Sequence, residues 1–302
     1  MKNYNGWINV FKPKNISSFN VIRKVKKVFK FSKIGHAGTL DPAAEGILPL
    51  AVGKSTKLIS FINEKEKIYE FNIKWGLQTD TDDQDGQIIN FCKKIPSKDE
   101  IEKILYKFIG NIMQKPPKVS AIKINGERAY NRFRNNEVFE TKERLVKVYN
   151  LNMLEKIDNN TFKFSVECGK GFYVRSLARD LANSLNTKAH ICYLKRVKVG
   201  NFNQNNSILL DDLLKISEMA DGIKGFHSSI SVLDDIPAFE IESKEMLNNI
   251  SNGNQVRPNI FISNSLFQSN KNIYFAIKNG KIISLGKKME IFSNQKKFYY
   301  RR

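Results

Sequence analysis

The sequence predicts an α+β fold followed by a smaller β unit at the C-terminus. Three observations carry this reading. Strand-like and helix-like periodicities are mixed along the first 200 residues without a regular βαβ rhythm, which speaks against a doubly wound parallel sheet. Tyr69, Phe71, Ile73 and Trp75 alternate with polar residues, the signature of a one-sided strand. Beyond Pro237 the pattern changes to short strands with turn signals at SNGN (251–254) and KNGK (278–281), which suits a small β-barrel. The expected division is 1–235, ending in an acidic linker-like stretch over 205–235, and 236–302. At roughly 150 residues per domain, the 302 residues suffice for both.

The elements follow in order. Residues 7–11 (WINVF) read as a strand ending at Lys12-Pro13. Ser17 or Ser18 caps a helix over 19–30, with Val21, Val25 and Val28 on one face and Arg23, Lys24, Lys26 and Lys27 largely on the other. KIGHAGTLDPAAEG (33–46) holds three glycines and a proline and reads as a structured loop. Ser97 and Glu100 form a capping box ahead of a helix carrying Ile101, Leu105 and Phe108. KPPKVSAIKINGERAY (115–130) is turn-rich and basic and runs into a short helix. Residues 145–154 and 161–168 alternate as paired strands, 175–186 is an amphipathic helix, and 191–199 returns to strand. The acidic 205–235 segment reads as helical, and no internal repeat is present.

Composition narrows the class. Hydrophobic residues at 41% and charged residues at 26% exclude a disordered or fibrous chain. Fifty Lys and Arg against 30 Asp and Glu give +20, which points to a polyanionic partner, nucleic acid or an anionic membrane surface. A coding bias toward Lys, Asn and Ile is a second reading of that total, so its distribution says more. Residues 1–200 carry +17, residues 201–250 carry −6, and residues 251–302 carry +9. Uniform bias does not produce two basic blocks around an acidic one.

No apolar run approaches the ~20 residues of a membrane span, and the start of the chain has no signal-peptide apolar core. Cys92, Cys168 and Cys192 are far apart and form no C-x-x-C, so neither a disulfide framework nor a zinc cluster is expected. The expected location is the cytoplasm. Gly53-Lys54-Ser55-Thr56 ends like a phosphate-binding loop, but Leu48 occupies the position of the required first glycine. Asp80, Asp82, Asp83 and Asp85 imitate a calcium loop but put Asp85 where glycine is needed and Phe91 where the bidentate Glu belongs; the simpler reading is a solvated acidic turn. Gly35-His36-Ala37-Gly38 matches a GxxG backbone clamp, a pattern too common to count alone. His190 and Cys192 have no third partner near in sequence and read as core or surface residues.

The densest signal is GHAGTLDPAAEGILPLAVGKSTKL (35–58). Pro42 biases Asp41 toward an extended backbone, and the small residues around it leave room for a ligand. Alone, Asp41 reads first as a carboxylate bonding its own turn. The company it keeps favours chemistry. FKPKNISSF (11–19), GHAGTLDPAAEGILPLAVGKSTK (35–57), KIYEFNIKWGLQTDTDDQDG (67–86), KPPKVSAIKINGERAY (115–130), GKGFYVRSLARDL (169–181) and AHICYLKR (189–196) occur in this order. Together they resemble the bacterial TruB family of tRNA pseudouridine synthases, from about residue 5 to about 200 and more weakly beyond. Phe11 departs from the Asp that many relatives carry there, and leaves the Lys12-Pro13 turn intact.

The resemblance implies a pseudouridine synthase fold with a mixed, largely antiparallel central sheet and a C-terminal PUA-like RNA-binding barrel. It implies isomerisation of the uridine at position 55 in the TΨC arm of tRNA, with no metal or other cofactor and no obligatory protein partner, by a monomer. Asp41 takes the place of the family's nucleophile; attack on the sugar, attack on the base and stabilisation of a departing base all stay open. Arg175 matches the arginine expected in salt-bridge contact with Asp41, since a nearby guanidinium favours an ionised carboxylate; taken alone it reads as a surface ion-pairing residue. Tyr69 matches the tyrosine that stacks on the flipped base, although periodicity alone makes it a strand core residue. His36 matches a histidine that fills the space left by the extruded nucleotide, and Tyr173 and Leu194 match further substrate-contacting positions. Extrusion costs a few kcal/mol, of which an aromatic platform returns ~1–3 kcal/mol. Lys12, Arg23, Lys24, Lys54, Lys57, Lys123, Arg128 and Arg132 are candidate phosphate contacts. Two other readings are a non-catalytic tRNA-binding or tRNA-folding protein and a guide-dependent relative acting on ribosomal RNA.

Overall fold

The computed structural model describes residues 4–216, 224–233, 236–258, 273–279, 281–290 and 298–301, the stretches 287–290 and 298–301 as backbone. The chain divides into two compact units, Met1–Phe226 and His227–Arg302.

The first unit begins with β1 (Gly6–Lys12), α1 (Ser18–Phe29), β2 (Ile34–His36) and β3 (Glu45–Val52). Ser17 caps α1 by accepting from the Asn20 amide, and Lys30 ends it in the left-handed region. The 33–46 stretch, read as a loop, contains β2, whose three residues pair antiparallel with Leu50–Val52 of β3; the glycines conceal a strand too short for an alternation signal. Next come α2 (Ile59–Glu64), β4 (Lys67–Trp75), the ribbon of β5 (Leu77–Thr79) and β6 (Ile88–Phe91), and α3 (Lys98–Leu105). Both arms of the Ser97/Glu100 capping box are made. Phe108 lies beyond α3, in a separate 3₁₀ turn.

Then follow β7 (Gly110–Gln114), a small ribbon of β8 (Lys123–Ile124) and β9 (Glu127–Arg128), α4 (Ala129–Arg134), β10 (Arg144–Lys156) and β11 (Thr161–Cys168). The unit closes with α5 (Val174–Ser184), β12 (Ala189–Val199), β13 (Phe202–Asn203), β14 (Ile208–Leu209) and α6 (Leu210–Lys215). The acidic stretch is less helical than expected: α6 holds six residues and Ser229–Val232 form a 3₁₀ turn, while 217–223 and 234–235 lie outside the described residues.

The main sheet runs β14-β1-β3-β12-β4-β11-β10-β7. It is mixed and largely antiparallel, as expected; the parallel pairs on this path are β1 with β14 and β3 with β12. β4 shows strict alternation of buried and half-buried residues, and its inward face joins Val21 and Val25 of α1, Ile101 of α3, Leu177 and Leu181 of α5 and Leu213 of α6 in one core. Phe71 and Phe164 face each other across β4 and β11 with ring centroids 5.6 Å apart, worth about 0.5–1.5 kcal/mol beyond burial.

The second unit has a four-stranded sheet of Ala238–Glu240, Ile273–Lys278, Lys281–Glu290 and Phe298–Arg301 in that order. Among the described residues it is open, and no closed barrel is found. A helix that the turn signals concealed, Lys244–Ser251, packs Ile250 against Phe239, Tyr274 and Ala276; SNGN is its C-terminal end.

Candidate active site

Asp41 stands in the turn between β2 and β3. Three interactions fix this turn. Ser18 Oγ donates to the Leu40 carbonyl at 2.8 Å and accepts from the Leu40 amide at 2.9 Å. The Asn15 amide donates to the Pro42 carbonyl at 2.8 Å. Lys12 Nζ donates to the carbonyls of Pro13, Ile16 and Pro42 at 2.9, 2.8 and 3.2 Å. Lys12 is fully buried, and that corrects its reading as a substrate phosphate contact: its ammonium clamps the Asp41 turn from within, and burial pushes its pKa down to about 8.

Asp41 Oδ2 lies 3.0 Å from Arg175 Nη2, the contact anticipated from the sequence. Arg175 occupies the first turn of α5 and is buried, not a surface residue. Its guanidinium also donates to the carbonyls of Thr81 (3.0 Å) and Val119 (2.9 Å) and pairs with Asp83 Oδ2 at 3.4 Å. The acidic segment after β5 is thus solvated only in part: Asp85 is exposed and Asp80 half-buried, but Asp82 and Asp83 face inward. The Asp82 and Asp83 side chains are only 8% and 14% exposed, facing arginines of α5, because two guanidiniums need carboxylates to be tolerated inside the protein.

β12 supplies the opposite wall. Bulges between Ile191 and Tyr193 and between Arg196 and Lys198 re-aim the intervening residues, setting Leu194 across from Phe71 and Arg196 across from Tyr69. Arg196 is buried and donates to the carbonyls of Ile47 (2.8 Å), Gly38 (3.0 Å) and Thr39 (3.4 Å); its charge beside Tyr69 favours the ionised phenol, though less than burial opposes it. Gly46 makes this approach possible: at φ +115°, a Cβ there would sit 2.2 Å from the Arg196 carbonyl oxygen. Burial pushes the Tyr69 phenol up, and burial with Arg196 pushes His36 down toward the neutral ring. Tyr193 donates to Glu45 Oε1 at 2.8 Å, and Lys14 Nζ sits 4.4 Å from its ring centroid.

Asp41, Asp83, Arg175, Tyr193 and Leu194 line one cleft, together with Ala43, Ala44, Gln84, Ile191 and Cys192. Tyr69, His36 and Tyr173 stand outside that lining. Tyr69 and Tyr173 remain close enough for Asp41 to raise their phenol pKa values, though less than burial does. Tyr173 precedes α5 and is held by reciprocal bonds between its backbone and the Gln114 amide, at 2.8 and 3.0 Å. Among the candidate phosphate contacts, Arg23, Lys24, Lys54, Lys57, Lys123 and Arg128 are exposed, whereas Arg132 is paired with Glu137 at 2.7 Å. His190 is a core residue whose Nδ1 bonds the Leu77 carbonyl.

Sequence reasoning missed Asp83, Asp82, Arg179 and Arg196. The doubled Asp82-Asp83 and the arginines one helical turn apart on α5 were the available signals. Among the described residues no group of three His, Cys, Asp or Glu is arranged to hold a metal ion. A carboxylate oriented by a buried guanidinium at the edge of a largely apolar cleft suits addition to an electrophilic carbon or stabilisation of a charge forming next to it.

The mixed sheet, with its Asp turn and first-turn Arg, has the pseudouridine synthase fold. Solved structures of similar fold include the crystal structure of a Cbf5-Nop10-Gar1 complex (TM-score 0.73, 24% identity, 98% of this chain and 83% of that one). A second is the archaeal box H/ACA sRNP Nop10-Cbf5 complex (TM-score 0.72, 22% identity, 99% and 85%). Residues 26–174 match the N-terminal domain model of TruB family pseudouridylate synthases, and 175–229 match the tRNA pseudouridylate synthase B C-terminal domain. Relatives named tRNA pseudouridine synthase B include those of Ehrlichia ruminantium, 42% identical over 84% of this chain and 86% of the relative, and Rickettsia bellii, 41% identical over 79% and 82%. The chain belongs to the TruB family of pseudouridylate synthases, and is an isomerase. Among the described residues no helix is long and apolar enough to cross a membrane.

Proposed function

We propose that the chain converts the uridine at position 55 in the TΨC arm of tRNA into pseudouridine, with Asp41 as nucleophile on an extruded base. The observation that carries this reading is the 3.0 Å ion pair of Asp41 with buried Arg175 on the wall of the cleft. The name shared by its relatives supplies the substrate class. In the reaction the N1–C1′ bond breaks, the uracil turns, the C5–C1′ bond forms, the C5 proton leaves and N1 takes one up, so no redox partner or group donor is consumed.

Arg175 orients the Asp41 carboxylate, Tyr69 stacks on the base, and Leu194 and Tyr173 shape its surroundings; His36 fills the space that the base vacates. The exposed residues Arg23, Lys24, Lys54, Lys57, Lys123 and Arg128 meet backbone phosphates. The functional boundary falls at 235/236, nine residues beyond the division into compact units at 226/227; a catalytic domain precedes it, and a PUA-like unit whose basic 251–302 segment touches the acceptor stem follows. The enzyme works as a cytoplasmic monomer without guide RNA or protein partner.

The test is to incubate pure protein with an isolated T-arm hairpin and to compare Asp41→Ala. Pseudouridine should form with wild type alone, and the variant should lose formation while keeping nearly the same RNA affinity. A requirement for a guide or a second protein overturns the stand-alone reading. Isomerisation by Asp41→Ala overturns the assignment of the nucleophile.

A further inference from the structure

We infer that Arg179 and Asp82 form a positioning pair for this reaction: their ion pair fixes the Thr81–Asp83 turn, so that the turn holds the Arg175 guanidinium against Asp41. The inference rests on the proposed reading of the cleft.

Arg175 takes two of its partners from three consecutive residues, the Thr81 carbonyl at 3.0 Å and Asp83 Oδ2 at 3.4 Å. The residue between them, Asp82, has φ +60°. A non-glycine residue holds such a backbone at a cost of order 1–3 kcal/mol unless its surroundings impose it, though Asp tolerates it better than most. Here the surroundings do impose it. Arg179 Nη1 donates to Asp82 Oδ2 at 2.7 Å, with the two side chains 19% and 8% exposed. The Ile191 amide of β12 donates to the Asp82 carbonyl at 3.0 Å. Charge-assisted bonds of this length are among the strong ones.

Arg179 is itself anchored. Its Nη2 donates to the Lys115 carbonyl at 2.6 Å, the same oxygen that Ser176 Oγ reaches at 2.8 Å, and its Nε lies 3.3 Å from Asp180. Arg175 and Arg179 are four residues apart on α5, hence on one helix face. One helix therefore grips one turn at two points. The inner grip carries the cleft arginine and the outer grip sets the turn's backbone. Arg179 and Asp82 do not line the cleft, so both act through Arg175.

The experiment measures single-turnover release of tritium from a T-arm hairpin labelled at uracil C5, with hairpin affinity and hydrogen exchange over residues 79–86 measured alongside. Asp82→Asn keeps shape and tolerance of positive φ while removing the charge; Arg179→Met removes the other partner; Arg179→Lys is the conservative rescue. A misplaced catalytic group costs up to about 100-fold in rate, so Asp82→Asn and Arg179→Met should each slow release about 10- to 100-fold. Hairpin affinity should stay within about twofold, the pattern of an interaction felt only in the transition state, and exchange over 79–86 should speed up. Arg179→Lys should recover most of the rate. Unchanged rates, or rates lost only in step with affinity, overturn the inference. If wild type releases no tritium, the proposed function falls instead; the pair is then judged by exchange, and equal protection of 79–86 in wild type and Asp82→Asn overturns it.

Discussion

Replacing Arg175 by Met tests how firmly the cleft is built. The side chain leaves behind Asp41 at 36% exposure and Asp83 at 14%, along with the Thr81 and Val119 carbonyls. Asp41 rehydrates at little cost, so the penalty falls on Asp83. Removing one partner of a buried pair costs about 3–5 kcal/mol, and Asp83's residual exposure places the expectation near the lower figure, about 3 kcal/mol. For a unit of this size that lowers Tm by about 6–12 °C. The assay is urea unfolding followed by tryptophan fluorescence. The chain has two tryptophans, and Trp7 and Trp75 are both fully buried in the first unit, so the signal reports that unit. At an m-value of ~3 kcal/mol/M the midpoint falls by about 1 M. Adding Asp83→Asn removes the stranded charge and should restore part of the stability but none of the isomerisation. A single variant within about 1 kcal/mol of wild type, or a double variant less stable than the single one, refutes the account of Asp83 as a charge held in place by Arg175.

Gly46→Ala should destabilise the first unit by about 2–4 kcal/mol, through strained φ and collision with the Arg196 carbonyl; thermal unfolding like that of wild type would contradict the close approach. Between pH 7.5 and 9 the unit should gain stability. Burial pushes Lys12 and Lys67 down to about 8 from 10.5, so the folded chain sheds protons that the unfolded chain keeps, and stability rises with pH. Above pH 9 the gain is opposed by buried Cys168, pushed up to about 12; a urea midpoint that falls between pH 7.5 and 9 would overturn the sign. Hairpin affinity should drop steeply with salt, and Lys54→Ala should lower the log–log slope by about one unit, measured by fluorescence anisotropy from 50 to 200 mM salt; an unchanged slope removes Lys54 from the contact set.

Most of the first unit was legible in the residues, because β4, β10, β11 and α1 announce themselves by period and cap. What stayed hidden has physical causes. β2 is too short to alternate visibly. The Lys244–Ser251 helix was masked by the turn residues at its own end. The inward charges defeated the expectation that Lys and Asp face water. Lys12 and Asp83 are ordinary polar residues by sequence and interior ones by structure, made tolerable by the three backbone carbonyls around Lys12 and by the distant Arg175 that pairs with Asp83. Asp41 and Arg175 lie 134 positions apart, and no local pattern joins them; the ordered family blocks did.

The interior cations leave one consequence for any polyanion that approaches. Lys12, Lys67 and Arg196 are buried and bonded to backbone carbonyls; among the described residues none is in ion-pair contact with a carboxylate. Two of them, Lys12 and Arg196, brace the Asp41 turn directly. Mobile ions screen exposed charges over ~8–10 Å and reach buried ones far less. The exposed lysines and arginines thus offer an attraction that concentrated electrolyte erases, while beneath Asp41 the Arg196 guanidinium keeps its charge and the Lys12 ammonium keeps its own below its lowered pKa of about 8, both set by the fold.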